Sequence, residues 1–469
     1  MKKDSLDQFF SPLSFFEIED LMAQAQMTPS LPEGVLDSFQ EVHSLELSNL
    51  CSPLPENFEA ETPELSEKDS PKPLPQKVVE KAEKSEPPKQ LAPALLSLDE
   101  IADCVIQAGS LIRVDRILYS FNGEIYEPLS TERFLTFLQR ILPEAMQRRI
   151  GNIRKVEDAY DWLAASPKLP YFSAEDLYQR NRFLIPFRNG VYDAETGRLI
   201  PYTKETPIFF QLDTYFRPDP SPAPTWSSFI HTTFKGNMDD QQLLLEMIGY
   251  LLMPSNDGKV FFVLGTEKNS GKSQFVNFLT KVLGEDRVSN ICLHDLKNRF
   301  ALAGTVGMAA NFSKDLPNGP LSDEAVARIK QVTGEKWIMV EAKCQPLRSA
   351  FITCKWVCAT NHPIQISSND PAFWDRLILL PFTVSCPKSN MNKDLAQDLY
   401  NERDSILSAA AKAAHFLIAK NFVFTSSENA ERILTQWASS SDPATAFLDG
   451  FCRVTGSRDD YIEINELFD

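Results

Sequence analysis

The chain has 469 residues, 43% of them hydrophobic, and a net charge of −17. That length allows about two to four domains, no run approaches the roughly 18 apolar residues of a membrane-crossing helix, and the acidic balance argues against a generic nucleic-acid binder. The eight cysteines are scattered without a C-x-x-C pair, so they support neither a zinc site nor a disulfide framework.

Residues 1–95 read as a disordered acidic arm. The first 100 residues carry 20 acidic and 8 basic side chains and no arginine, whereas the remaining 369 carry 44 and 39. The stretch Pro63 to Pro93 is dense in Pro, Glu, Lys and Ser and cannot bury enough apolar surface to fold. The N-terminus turns acidic where a signal peptide needs an apolar core, so a cytoplasmic location is expected. Leu6-Asp-Gln-Phe9-Phe10 is similar to sliding-clamp-binding peptides but lacks their leading glutamine. A short helix packed on its own protein, or no structure at all, is the plainer reading of it. The arm is also a place where a separate primase could dock.

Residues 96–180 read as a small mixed α/β region. Leu118 to Tyr126 is a hairpin signal around Asn122-Gly123. A helix is expected over Glu132–Ile141, with Thr131 as N-cap. In residues 181–255, Asn189 to Leu199 gives a short β unit. One helix is expected over Trp226–Leu252, with Phe229, Phe234, Leu243, Leu244, Ile248 and Leu251 as its core face.

Residues 256–385 hold the most informative stretch. Phe261 to Leu264 is a short apolar run before a glycine, as in a buried parallel strand. Gly265-Thr-Glu-Lys-Asn269-Ser270-Gly271-Lys272-Ser273 follows, and then Phe275, Phe278, Leu279 and Val282 at helical spacing. Strand, loop and helix in that order are the context of a phosphate-binding loop. Backbone N–H groups at a helix N-terminus favour anions. Gly271 allows close backbone approach, Lys272 is placed for the β- and γ-phosphates of ATP, and Ser273 for Mg²⁺. Five residues rather than four separate Gly265 from Gly271, which leaves the start of the loop open by one position.

Val306 to Phe312 reads as a strand leading to Asp315, an acid placed for Mg²⁺ or for the attacking water, or else an acidic turn before Pro317. Ser322 caps a helix running to Thr333 and stopping at Gly334. Trp337 to Lys343 and Arg348 to Thr353 read as a β-hairpin with Lys343 near its tip. Phe351 to Ala359 is a strand ending at Asn361, which can orient a water or simply open a turn. Arg376 enters the apolar run Leu377–Phe382; it awaits a neighbour's γ-phosphate or an ordinary ion pair. In residues 386–469, Lys393 to Lys420 reads as an alanine-rich helix.

The ordered set FFVLGTEKNSGKS, RFALAG, NFSKDLP, IKQVTGEKWIMVEAK, VCATNHP and FWDRLILLPF closely resembles the superfamily 3 helicase module of phage and plasmid primase-helicases, a family related to the poxvirus nucleoside-triphosphatase primase. The resemblance covers about residues 180–420. It implies an α/β fold: an AAA+-like P-loop ATPase core behind a helical collar region. It implies a homo-hexameric ring that hydrolyses ATP with Mg²⁺ and moves on single-stranded or forked DNA. By position, Lys272 and Ser273 match the phosphate and metal ligands, Asp315 the acidic metal-site residue, Asn361 the sensor, and Arg376 the arginine finger. Family members often have two arginines where Asp375-Arg376 stands. Lys330 and the hairpin around Lys343 match the segment facing DNA.

The first 95 residues are too few for the family's primase domain, so no primer synthesis is expected. Trp437 to Phe447 and Tyr461 to Asp469 are similar to the opening of a winged-helix domain, with too little after them to complete it. Two rival functions remain open at this level: an AAA+-type initiator or loader that does not unwind, and a degenerate nucleotide-binding scaffold.

Overall fold

Alternating apolar runs and amphipathic stretches between residues 261 and 382 fold into a five-stranded parallel sheet. Its order is Leu377–Phe382, Phe261–Thr266, Lys355–Ala359, Ala310–Ser313, Val288–Ser289. The computed structural model describes residues 95–441, apart from 152, 368, 369, 388 and 390, together with Thr455. The acidic arm, its Leu6–Phe10 motif and Tyr461–Asp469 lie outside the described residues.

Side chains along a strand alternate between faces, and both faces of this sheet are covered. Phe262, Leu264, Phe312, Val357, Leu380 and Phe382 enter one core, Phe261, Val263, Trp356, Cys358, Leu377 and Leu379 the other. Burial on both faces is why these strands read as unbroken apolar runs. The buried Cys354 and Cys358 are plain packing residues here.

The first core also takes in Leu243, Leu244, Met247, Ile248 and Leu251 ahead of the sheet, and Leu407, Ala410, Ala411 and Ala414 behind it. Packing therefore runs straight across residue 255, from the segment 181–255 into the segment 256–385. A Cβ on Gly249 would lie 2.2 Å from the Ala410 carbonyl oxygen and 3.0 Å from Ala414 Cβ. The two helices touch backbone to backbone, which explains the glycine on one and the alanines on the other.

The strand expected over Val306–Phe312 is only Ala310–Ser313, and the one expected over Phe351–Ala359 is only Lys355–Ala359, with Phe351 closing the hairpin instead; three helices also differ from their sequence-based bounds. The helix expected over Trp226–Leu252 is two, Pro224–Phe234 and Met238–Leu252. They part at Lys235 and Gly236, both with positive φ, and Asn237 caps the second by accepting from Asp240 N at 3.0 Å. The alanine-rich helix is also two, Leu395–Asn401 and Arg403–Ala419. Between them Glu402 accepts from Thr225 N and Trp226 N at 2.9 and 2.8 Å, so its carboxylate caps another helix. The helix Thr131–Ile141 is capped by Ser130, one residue earlier than expected.

Ahead of this lies a four-stranded sheet, Tyr126–Pro128, Ile117–Phe121, Leu111–Val114 and Tyr171–Phe172, packed on the helices Leu98–Ala108, Thr131–Ile141 and Ile153–Ala165. Its Asn-Gly turn is held by Asn122 Oδ1, which accepts from Glu124 N and Ile125 N at 2.9 Å each. The helix Glu428–Ser441 returns to the sheet, where Trp437 is buried in the second core. That indole lies 3.3 Å from where a Cβ on Gly265 would stand, so this part of the C-terminal segment packs on the sheet rather than standing apart. Among the described residues, no helix is long and apolar enough to cross a membrane.

Candidate active site

In an open parallel sheet, the crevice at the carboxyl ends of the strands is where ligands bind. Three adjacent strands end there with the residues singled out above. Phe261–Thr266 runs into the glycine-rich loop, Lys355–Ala359 into Thr360-Asn361, and Ala310–Ser313 into Lys314-Asp315.

Gly265 is the penultimate residue of its strand, and the loop begins at Glu267. The extra residue noted in the spacing therefore belongs to the strand. Asn269 has φ of +56° and Gly271 of +85°. The Asn269 carbonyl accepts from Cys386 N at 2.9 Å, and Glu267 N donates to the Phe382 carbonyl at 3.1 Å. The two bonds pin the loop to the end of the edge strand and to the segment after it. The helix Lys272–Leu283 starts directly at Gly271. Gly271 is its N-cap in a left-handed conformation that strains any other residue, and a Cβ there would also crowd Phe229, 3.1 Å from its Cε2.

Lys272 is only 6% exposed. Its ammonium donates to the Glu267 carbonyl and, at 3.0 Å, to Ser270 Oγ. Burial pushes its pKa down from 10.5 to about 8, against the opposing pull of the Glu267 and Asp315 charges. Asp315, exposed two residues beyond its strand, is thus brought to the lysine. Ser273 is exposed in the first turn of the helix. Thr360 Oγ1 donates to the His362 carbonyl at 2.8 Å and accepts from His362 N at 3.0 Å, shaping the turn that holds half-buried Asn361.

A nucleotide's phosphates and Mg²⁺ fit this donor set. The lysine is already satisfied by two oxygens, the chemistry a phosphate offers, and Gly271 must stay small. A hydroxyl and a carboxylate stand within the same edge.

Arg376 stands elsewhere. Leu377 is in register with Phe261 and Phe382 with Thr266, so Arg376 is at the opposite end of the sheet, about 23 Å from the start of the loop at about 3.3 Å per residue. Its Nη1 donates to the Ala372 carbonyl at 2.6 Å, and its Nε is buried without a hydrogen-bond partner among the described residues. It lines a basin of ≈ 810 Å³ with Lys259, Lys297, Arg328 and Lys330, against Glu324 and Glu335.

Lys330, on the helix Asp323–Gly334 ahead of the hairpin, lines the same basin. It is ion-paired with Asp370, and this hydrogen bond is the main reason the Asp370 carboxyl lies below its usual range. Sequence reasoning missed Lys259, Lys297 and Arg328, because single basic residues in unrelated segments carry no pattern.

The hairpin pairs Trp337–Val340 with Arg348–Phe351, and Lys343 is exposed in its turn. Trp337 is 49% exposed at the root.

Two family models match the chain. One, described only as a family of unknown function (DUF5906), covers residues 263–376; the other, D5 N terminal like, covers residues 111–235. An apo structure of the NrS-1 C terminal region is 12% identical, with a TM-score of 0.44, and the match covers 74% of this chain and 79% of that one. Another apo form of that region is 10% identical, with a TM-score of 0.42, covering 74% and 78%. JCV helicase with an acetamide compound bound is 18% identical, with a TM-score of 0.26, covering 46% and 60%. The fold reading rests on the strand order and register above. The D5 N terminal like match supports the relationship to the primase-helicases that the motifs carry.

Proposed function

We propose that this chain is an ATP-dependent DNA helicase for the replication of a phage, plasmid or integrated mobile element, working as a homo-hexameric ring on single-stranded DNA. One observation carries the reading: a nearly buried, hydrogen-bonded Lys272 at the start of a helix, at the carboxyl edge of a parallel sheet, under the charge of Asp315 from the next strand but one. The strand order supports an AAA+-like P-loop core, and the helices ahead of the sheet support the collar.

Bound ATP·Mg²⁺ supplies the phosphoryl bond that is cut. Gly265, Asn269, Ser270 and Gly271 shape the backbone around the phosphates, and Lys272 carries the positive charge toward them. Ser273 and Asp315 hold the metal. Asn361 orients the water. Arg376, too far from its own chain's loop, serves the nucleotide of an adjacent copy, with the rest of its basin around it. Lys343 meets DNA phosphates from the hairpin turn, while Lys330, neutralised by Asp370, belongs to the Arg376 basin.

The test is ATP turnover with and without single-stranded DNA, followed by strand displacement on a forked duplex. DNA-stimulated turnover with displacement is expected. Turnover without displacement assigns the chain to the initiator and loader class, and absence of turnover to a nucleotide-binding scaffold.

A further inference from the structure

Three residues, each 79 positions from the next, meet at one point. Tyr178, in the helix Ala174–Asn181, donates its hydroxyl to Asp257 Oδ1 at 2.7 Å. Lys336, the residue before the first hairpin strand, donates to the same oxygen at 2.8 Å. Its ammonium lies 4.3 Å from the centre of the Tyr178 ring. Arg182 reaches the other carboxylate oxygen at 3.8 Å. Asp257 itself lies in the short segment that leads into Phe261–Thr266, the strand that feeds the phosphate loop.

The same helix grips the hairpin root twice more. Trp337 Nε1 donates to Glu175 Oε2 at 3.3 Å. Phe351, opposite Trp337 in the hairpin register, meets the Tyr178 ring edge-on at 5.4 Å. Burial raises the Asp257 pKa, but hydrogen bonds from Lys336 and Tyr178 and the charges of Lys336 and Arg182 outweigh it and hold the carboxyl below its usual range. The carboxylate is therefore charged at neutral pH and binds three elements together.

An isolated two-stranded hairpin is marginal in water, so its direction is set by whatever holds its root. Four-residue strands reach about 13 Å, and a swing of about 10° at the root moves the tip by about 2 Å. Such a shift is enough to pull a side chain at the tip away from a phosphate.

We propose that Asp257 is a positioning residue: through Lys336 and Tyr178 it sets the angle of the Lys343 hairpin against the segment entering the phosphate loop, so that turnover at the loop displaces the hairpin tip instead of slackening at its root. The proposal deepens the helicase reading and rests on it.

The test uses the full chain with Asp257→Asn, Lys336→Met and Lys336→Arg, measuring basal ATP turnover, the salt dependence of single-strand binding, and base pairs opened per ATP. For Asp257→Asn and Lys336→Met, basal turnover holds at the wild-type value, because the loop is untouched, while the slope of log K against log salt for single strands flattens by up to about 0.7 as Lys343 swings off its phosphate. Base pairs opened per ATP fall by about 2- to 30-fold, the range over which residues in a coupling network act. Lys336→Arg keeps the charge and the donor and recovers most of the yield.

An unchanged yield per ATP in a wild type that unwinds overturns this proposal alone. So does a loss of basal turnover in step with unwinding, which marks a folding defect. A wild type that hydrolyses ATP but opens no duplex ends the helicase reading and the positioning role with it.

Discussion

The two edges of the central sheet are built differently. At the carboxyl edge, the loop, Asp315 and Asn361 leave three neighbouring strands, and the phosphate-binding motif is one contiguous run from Gly265, at the strand end, to Ser273, in the first turn of the helix. At the other edge, Arg376, Lys297 and Lys259 come from separate segments, and they share a basin with Arg328 and Lys330 of the helix Asp323–Gly334. The first edge has the groups to bind a nucleotide but, among the described residues named there, no arginine. The second has the arginine but no phosphate loop. About 23 Å of strand separates them in one chain, by the rise of about 3.3 Å per residue. Two copies packed head to tail bring unlike edges together, and a head-to-tail interface that closes makes a ring.

Removing the arginine is the strongest way to break this pairing of edges. Arg376→Ala in every subunit should lower ATP turnover by about 10³-fold or more, the scale of an arginine finger, with nucleotide affinity little changed. Near wild-type turnover would reduce Arg376 to a local brace on the Ala372 carbonyl. At the carboxyl edge, Lys272→Ala should lower turnover by about 10²–10³-fold, as for loss of one preorganised charge-stabilising donor. Thermal melting should show the fold intact, because the lysine is costly to bury and the alanine is not.

A smaller effect separates two lysines. Lys343→Ala should flatten the slope of log K against log salt for single-stranded DNA by about 0.7 for each phosphate that the lysine neutralises. Lys330→Ala should leave that slope alone, since Asp370 already neutralises it. Equal slopes for both variants would remove the hairpin from the DNA path.

The smallest effect is a proton. The folded chain releases the Lys272 proton near pH 8, well below its ordinary 10.5. The unfolded chain therefore holds more protons between those values, and this group's contribution to stability rises with pH across that window. Phosphate favours the ammonium, so nucleotide affinity should weaken as pH rises through 8. Binding of a non-hydrolysable analogue should take up part of a proton there, readable by calorimetry in two buffers of different ionisation heat. No uptake would mean that Lys272 does not meet the phosphates.

What could be read in the sequence follows the same division. The strand, loop and helix at Phe261–Leu283 are encoded locally, by apolar run, glycine and helical spacing, and the structure places them as read. The hairpin at Trp337–Phe351 was legible for the same reason. Helix breaks were not. Lys235 adopts a left-handed turn that no lysine advertises, and Glu402 ends one helix only because it caps another far away in sequence. The basin, the Asp257 junction and the seat of Trp437 against Gly265 depend on residues that only the folded chain brings together. A single Lys, Asp or Trp in an unpatterned stretch gives no sign of its partner.

The pairing of the two edges is tested most directly by complementation. Lys272→Ala chains keep the arginine and Arg376→Ala chains keep the phosphate loop, so each alone should be nearly inactive. Mixed and reassembled in equal amounts, they regain ATP turnover, up to about a quarter of wild type if head-to-tail interfaces form at random and act independently. A mixture no more active than either variant alone would contradict a site shared between copies and leave Arg376 serving only its own chain.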